Sequence, residues 1–282
     1  MLGIIIAAGM GRRMHEYTKH TPKCLLPMTT QGLTILDQTL NNLRAVGCTR
    51  QLIITGHARQ AFAVRTWSSD VDFIHNADYK KNNILHSLMT ARNFFNQPLI
   101  ITYSDIWVEP NIYQHLMATE GDAVLAVDHL WQDYYKMRLD HPIEQAEKVL
   151  YTPLAKSEFD HADVIALGKV LPIDSVPICP SDLGEFLGLM KFSTQGAKQF
   201  REDFLALDNE MDLSTPFKQA ATWQQAYLTD LIQYQINHGG QYTAALVAKG
   251  WAEFDTLEDY LRLEKIMQQQ KLNTLMDPAP KI

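Results

Sequence analysis

The sequence predicts an α/β fold in which a mainly parallel sheet carries helices on both faces. Two observations predict it. Short apolar runs alternate with segments of helical period through the first 127 residues. That alternation is the pattern of strand–helix–strand units, whose strands are buried on both sides. The first run, Leu2 to Ala8, breaks into Gly9-Met10-Gly11, a glycine turn at a strand end.

The elements follow in order. Residues 34–46 (TILDQTLNNLRAV) space their apolar positions as a helix does and stop at Gly47. QLIIT (51–55) is a strand ending at Gly56-His57, and 58–67 suit a short helix. VDFIH (71–75) is a third strand, 83–95 are helical, and PLIITY (98–103) is a fourth strand ending before Ser104-Asp105. DAVLAV (122–127) is a fifth. Beyond it, strands are expected at 147–151, 163–170, 185–192 and 241–248, and helices at 194–206, 222–237 and 257–270. The tail MDPAPKI should fray. No Gly/Ser/Pro linker divides the chain, so 1–127 and 128–282 should pack as one compact unit. Ligands of such sheets sit beyond the carboxyl ends of the strands.

Composition narrows the class of function. With 282 residues, 46% of them hydrophobic, the chain can bury a large core. A net charge of −7 argues against nucleic acid as a partner. Cys24, Cys48 and Cys179 have no metal-type spacing and are odd in number, which fits a reducing compartment. The N-terminal apolar run is too short for a signal peptide and has no basic region before it. No stretch approaches the roughly 20 apolar residues that span a bilayer. The expectation is a cytoplasmic protein with neither membrane nor nucleic acid as partner; a homodimer is left open.

The opening segment departs from this acidic balance. Arg12, Arg13, Lys19 and Lys23 face only Glu16. A glycine turn after a strand, with cations clustered behind it, is how an α/β protein holds a polyphosphate. A Walker loop is excluded, because G-x-x-x-x-G-K-[ST] does not occur. A dinucleotide fingerprint is excluded too, because its third glycine position is Met14.

What remains is A-A-G-x-G-x-R followed by T-P-K-x-L-x-P. It is carried by Ala7, Ala8, Gly9, Gly11, Arg13, Pro22, Lys23, Leu25 and Pro27. This compound pattern resembles the nucleotidyltransferase superfamily, which activates phosphorylated small molecules as nucleotide diphosphates. The resemblance implies a Rossmann-like, GT-A-like fold, with a nucleotide-binding half at 1–127 and an acceptor-binding insertion and C-terminal helix in 128–282. Glycine admits backbone N–H groups to phosphate oxygens without a Cβ in the way. Arg13 suits a fork onto the β- and γ-phosphates. Lys23, a compact point charge, suits the α-phosphate, where charge builds in the transition state. These two are the candidate catalytic residues.

Triphosphate chemistry calls for a hard divalent cation, normally Mg²⁺, on one or two carboxylates. Asp105 follows a buried strand at its carboxyl end, where the resembling family binds its metal. The segment GWAEFDTLEDYLRLEKI is similar to the family's late motif, in which Asp255 matches the second ligand. Asp255 or Thr256 could equally cap the last helix, with Glu258 or Asp259 closing a capping box.

The acceptor class is read from two further stretches. NADYKKNNILHSLMTAR (76–92) resembles bacterial choline-phosphate cytidylyltransferases and relatives acting on phosphonates such as 2-aminoethylphosphonate. Asn76, Asn82, Asn83 and Ser87 carry the match, and Asn supplies the donor and acceptor that a cytosine edge needs. Asn83 would also serve as a helix N-cap. In DHLWQDYYKMRL (128–139), Trp131, Tyr134 and Tyr135 could face an ammonium, which Asp128 or Asp133 would neutralise, or the aromatics could simply fill the core. Lys191 is the candidate for the acceptor phosphate, with Glu185 nearby. The resemblance thus implies CMP transfer from CTP to a phosphorylated or phosphonate amine. The rivals are a sugar-1-phosphate nucleotidyltransferase and an inactive nucleotide-binding regulatory subunit.

Overall fold

The computed structural model describes residues 1–29, 32–136, 138–152, 160–171 and 179–268. The expected tail at 276–282 lies outside them. In chain order the elements are β1 (Leu2–Ala7), α1 (Ile35–Ala45), β2 (Arg50–Thr55), α2 (Gln60–Ala63), β3 (Val71–His75), α3 (Ile84–Met89) and β4 (Leu99–Tyr103). There follow β5 (Ile106–Val108), α4 (Pro110–Ala118), β6 (Ala123–Asp128), α5 (Trp131–Tyr135), β7 (Lys148–Tyr151), β8 (Asp160–Gly168) and β9 (Leu183–Phe192). The chain continues through α6 (Thr194–Glu210), α7 (Leu228–Asn237), β10 (Thr243–Val247), β11 (Trp251–Glu253) and α8 (Leu257–Gln268).

One sheet runs β3-β2-β1-β4-β9-β6-β10-β8-β7. The pairs β3–β2, β2–β1, β1–β4 and β6–β10 are parallel. Strands β8 and β9 run against the rest, with β9 lying between β4 and β6. An apolar run such as EFLGLMKF fixes burial but not direction, so the sequence did not reveal this reversal. Strands from both sides of residue 127 share the sheet.

Alternation along the strands builds a core on each face. Leu2, Ile4 and Ile6 of β1 point to one face, where α3, α6 and α7 pack. Ile5 and Ala7 point to the other, against α1, α2 and α4. A third cluster joins α8 to the opening segment through Met14, Leu26, Met28, Phe254, Tyr260 and Leu263. It fixes the basic segment over the carboxyl end of β1.

Four short elements escaped sequence reading. Helix α4 has nine residues and α5 five, and β5 and β11 have three each. The latter form a separate antiparallel ribbon, with Glu253 opposite Ile106 and Trp251 opposite Val108. The Phe254 N–H donates to the Asp105 carbonyl at 2.8 Å, which extends the ribbon by one residue. Periodicity cannot register segments this short, yet this ribbon brings the end of β4 beside the start of α8.

The turns that support the opening loop leave no spare room. A Cβ on Gly56 would sit 2.6 Å from the Ala8 carbonyl and 2.7 Å from Tyr79 Cβ. Gly56→Ala should therefore cost about 1–3 kcal/mol, the usual penalty for overpacking. Urea unfolding should show a lowered midpoint with an unchanged slope; an unchanged midpoint would mean that the loop moves aside freely.

Candidate active site

The site lies beyond the carboxyl ends of β1 and β4. A cavity of about 310 Å³ there is lined at one end by Ala7, Ala8, Gly9, Arg13 and Lys23, with Asp105 and Asp255 beside them. A left-handed residue at Gly11 (φ +58°) turns the chain after β1, and a Cβ there would lie 2.9 Å from Lys23 Cγ. Gly11 thus shapes the loop from behind and does not line the cavity. The Thr18 hydroxyl donates to the Gly11 carbonyl at 2.8 Å and pins the turn. Pro22 opens a single turn, Lys23–Leu25, whose Cys24 and Leu25 are buried. Those anchors direct Lys23 toward the cleft.

Lys23 Nζ donates to Asp105 Oδ2 at 2.6 Å and to Asp255 Oδ1 at 2.9 Å. Arg13 also pairs with Asp255, and His141 Nε2 lies 2.9 Å from Asp255 Oδ2. Burial opposes ionisation of Asp255, but Lys23, His141 and Arg13 outweigh it and hold the carboxyl far below the usual range. Burial likewise opposes charge on Lys23, and Asp105 with Asp255 more than offset it.

The two readings of the last motif turn out to be compatible. The Thr256 hydroxyl accepts from the Asp259 N–H at 3.1 Å, and Asp259 Oδ2 accepts from the Thr256 N–H at 3.1 Å. This reciprocal pair closes the N-terminus of α8, so the Asp255 carboxylate is spared for the cleft. Asp259 also takes a bidentate pair from Arg138, at 2.8 and 2.7 Å. Arg138 is buried and donates in addition to Glu253 Oε2 at 2.9 Å.

Asn82, Asn83 and Ser87 line the cavity. Asn83 is also the N-cap of α3, accepting from the Ile84 N–H at 2.9 Å. Asn76 does not reach the cavity. It is buried, donates to Asn82 Oδ1 at 3.0 Å and to Ser87 Oγ at 2.9 Å, and so braces the residues that do.

The acceptor candidates divide. Tyr135 and Glu185 line the cavity, and the Tyr135 hydroxyl donates to Glu185 Oε1 at 2.5 Å. Trp131 does not line it. Positions 131 and 135 share one face of the short α5, and Trp131 is buried on it against Tyr135 and Ala146. Asp133 points away and pairs with Lys136 at 2.6 Å on the surface. Lys191 is also misplaced as an acceptor ligand. It pairs in register with Ile100 near the start of β4, and its ammonium caps the carbonyls of Met117 and Thr119, away from the cleft. In β9 it is Glu185, at the opposite end of the strand, that reaches the site.

Sequence reading missed His141, Glu147 and Glu253, all of which line the cavity. Glu253 carried a signal, because residues two apart on an extended segment share a face and Glu253 precedes Asp255 by two. Nothing in the spacing pointed to His141 or Glu147. Burial pushes Glu147 up to about 7, against the pull of Lys169 and the Tyr103 hydroxyl. Burial, then Asp255 and Asp105, push Glu253 up to about 7 despite Arg138. Burial and Glu253 raise Glu185 well above the ordinary carboxyl value.

Residues 3–248 match the family described as MobA-like NTP transferase domain. Among curated relatives, the CTP:phosphoglutamine cytidylyltransferase of Campylobacter jejuni is 26% identical over 274 residues, covering 94% of this chain and 100% of the relative. The choline-phosphate cytidylyltransferase of Haemophilus influenzae is 33% identical over 113 residues, 40% of this chain and 47% of its own length. The solved CTP:phosphocholine cytidylyltransferase of Streptococcus pneumoniae shares the fold, with a TM-score of 0.65 at 15% identity over 95% of this chain and 99% of that one.

Glu147 makes a testable difference to stability. Its ordinary value is 4.5, whereas in the folded chain it keeps its proton up to about 7. The folded state therefore binds more protons in that window, and the contribution of Glu147 to stability falls as pH rises through it. Glu147→Gln escapes this loss. Its thermal midpoint relative to wild type should rise between about pH 5 and about pH 8; a constant difference would contradict the assignment.

Proposed function

The chain belongs to the MobA-like NTP transferase family, and from that premise we propose that it transfers CMP from CTP to a small phosphorylated or phosphonate acceptor, releasing pyrophosphate. The observation that carries the reading is the single ammonium of Lys23, bonded at once to Asp105 and Asp255 beside the glycine turn. The names of the curated relatives support cytidylyl transfer in particular.

In this reading the acceptor is already an anion near neutral pH, so no general base is required. One of its oxygens attacks the α-phosphorus of CTP in line. The new P–O bond forms as the bond to the bridging oxygen of pyrophosphate breaks, and that electron pair leaves with pyrophosphate. Catalysis is then positioning and charge stabilisation. Backbone N–H groups of the Ala8–Gly9 turn and the Arg13 guanidinium hold the outer phosphates. Lys23 meets the charge that builds on the α-phosphoryl oxygens.

The donor set suits Mg²⁺. Asp105 and Asp255 are hard oxygen donors that converge on one point, as a cation with small radius and strict geometry requires. Ligand atoms of His141 and Glu253 lie within 4.8 Å of one another and of Asp255. When bound, Mg²⁺ would neutralise phosphate charge and polarise the reacting phosphoryl group.

Pyrophosphate release with CTP and Mg²⁺ tests the reading across an acceptor panel of phosphocholine, 2-aminoethylphosphonate and sugar 1-phosphates. Transfer to a sugar 1-phosphate alone would install the sugar rival, and nucleotide binding without turnover would install the regulatory one. Lys23→Ala should lower turnover by about 10²–10³, the scale of one preorganised transition-state donor; wild-type turnover would remove Lys23 from the mechanism. Asp105→Asn should abolish Mg²⁺-dependent turnover in a chain that still folds, whereas retained activity would take the metal off Asp105.

A further inference from the structure

The cavity also has an acidic wall, which reaches Asp255 at Glu253. Glu147, Glu185 and Glu253 all line it, together with Tyr103, Tyr135 and Tyr227. Two of the three acids are already half-satisfied by phenols. Tyr103 donates to Glu147 Oε2 at 3.1 Å, and Tyr135 donates to Glu185 Oε1 at 2.5 Å. Glu253 gives one oxygen to Arg138. The remaining oxygen of Glu185, Oε2, is buried and has no hydrogen-bond partner, although the residue is only 4% exposed. A buried polar atom left unpaired is costly, and Glu185 lines the cavity, which marks a place for a donor from outside the chain.

From this arrangement we propose that Glu147, Glu185 and Glu253 form a subsite that selects acceptors carrying an ammonium with N–H donors over acceptors carrying a quaternary ammonium. The proposal rests on the acceptor class proposed above and narrows it. An ammonium bearing hydrogens can donate to Glu185 Oε2 in a charge-assisted bond, with Glu147 and Glu253 on the same cavity wall. A trimethylammonium group has no donor to give. It prefers aromatic faces, and here Trp131 is turned into the core, Trp251 is stacked on Tyr134 at 4.6 Å, and the face of Tyr227 already holds the Lys169 ammonium at 4.7 Å. The Tyr103 and Tyr135 hydroxyls point at carboxylates, which further favours hydrogen bonding over a cage of ring faces. The raised carboxyls of Glu147 and Glu185 fit the same picture, since burial outweighs the pull of Lys169 on the first and of Arg138 on the second. Lys169 and Gln145, bonded to each other at 3.1 Å, close the rim of this end.

Calorimetry on the full chain saturated with CTP tests the proposal through binding, so it does not depend on turnover. The probes are phosphoethanolamine, 2-aminoethylphosphonate, phosphocholine and propylphosphonate, the last having no amine. The two primary amines should bind at least about tenfold more tightly than phosphocholine and propylphosphonate, the scale of one charge-assisted hydrogen bond. Glu185→Gln and Glu147→Gln should each erode that ratio toward one while CTP affinity is retained, which also shows that the variants are folded. The proposal is overturned if phosphocholine binds as tightly as the primary amines, if propylphosphonate does, or if no probe binds. It is equally overturned if Glu185→Gln removes binding of Mg²⁺ instead of amine discrimination, because the cluster would then be a metal site. Turnover with phosphocholine alone would sink this subsite and leave cytidylyl transfer standing. Tight amine binding without pyrophosphate release would do the reverse.

Discussion

A single ammonium shared by two carboxylates organises this molecule. Lys23 follows the glycine turn, Asp105 follows β4, and Asp255 precedes α8, yet all three meet at one point. The Lys23 ammonium keeps its charge in so shielded a place because Asp105 and Asp255 offset the cost of burial, since a buried charge is tolerated only when paired. The pairing therefore fixes three distant parts of the chain relative to one another. It also stores the charge balance that a triphosphate and a divalent cation would redistribute.

The supports of that contact are layered. The parallel strands supply the platform, because their carboxyl ends gather at one edge. The β5–β11 ribbon carries Asp105 and Asp255 side by side. The buried Arg138 then ties the start of α8 to the segment after α5 through Asp259 and Glu253. Removing one member of such a buried network strands its partners, which costs about 3–5 kcal/mol.

Much of this was legible in the sequence where physics acts locally. Strand and helix periods located the parallel strands and the major helices, because burial on a face leaves a period in the chain. The opening motif drew attention to Arg13 and Lys23, Asp105 stood at the end of a strand, and the resemblance of the late motif singled out Asp255. What escaped depended on long-range pairing. The three-residue ribbon has no period, and the reversal of β9 has no signature in an apolar run. Lys191 and Glu185 lie on the same strand six residues apart, and only the register with β4 shows that Glu185 reaches the site while Lys191 does not. His141 and Glu147 come from a segment whose residues approach the cleft only through contacts made elsewhere. Trp131 and Asp133 were misplaced for a simpler reason: one helical turn sends neighbours at 131 and 133 in opposite directions.

The most direct test of the central claim is a crystal structure with Mg²⁺ and a CTP analogue whose α–β bridge resists cleavage. The account predicts Lys23 Nζ within hydrogen-bond distance of an α-phosphate oxygen, with Asp105 and Asp255 sharing one cation. A triphosphate bound away from the glycine turn, with the Lys23–Asp105–Asp255 contact untouched, would contradict it.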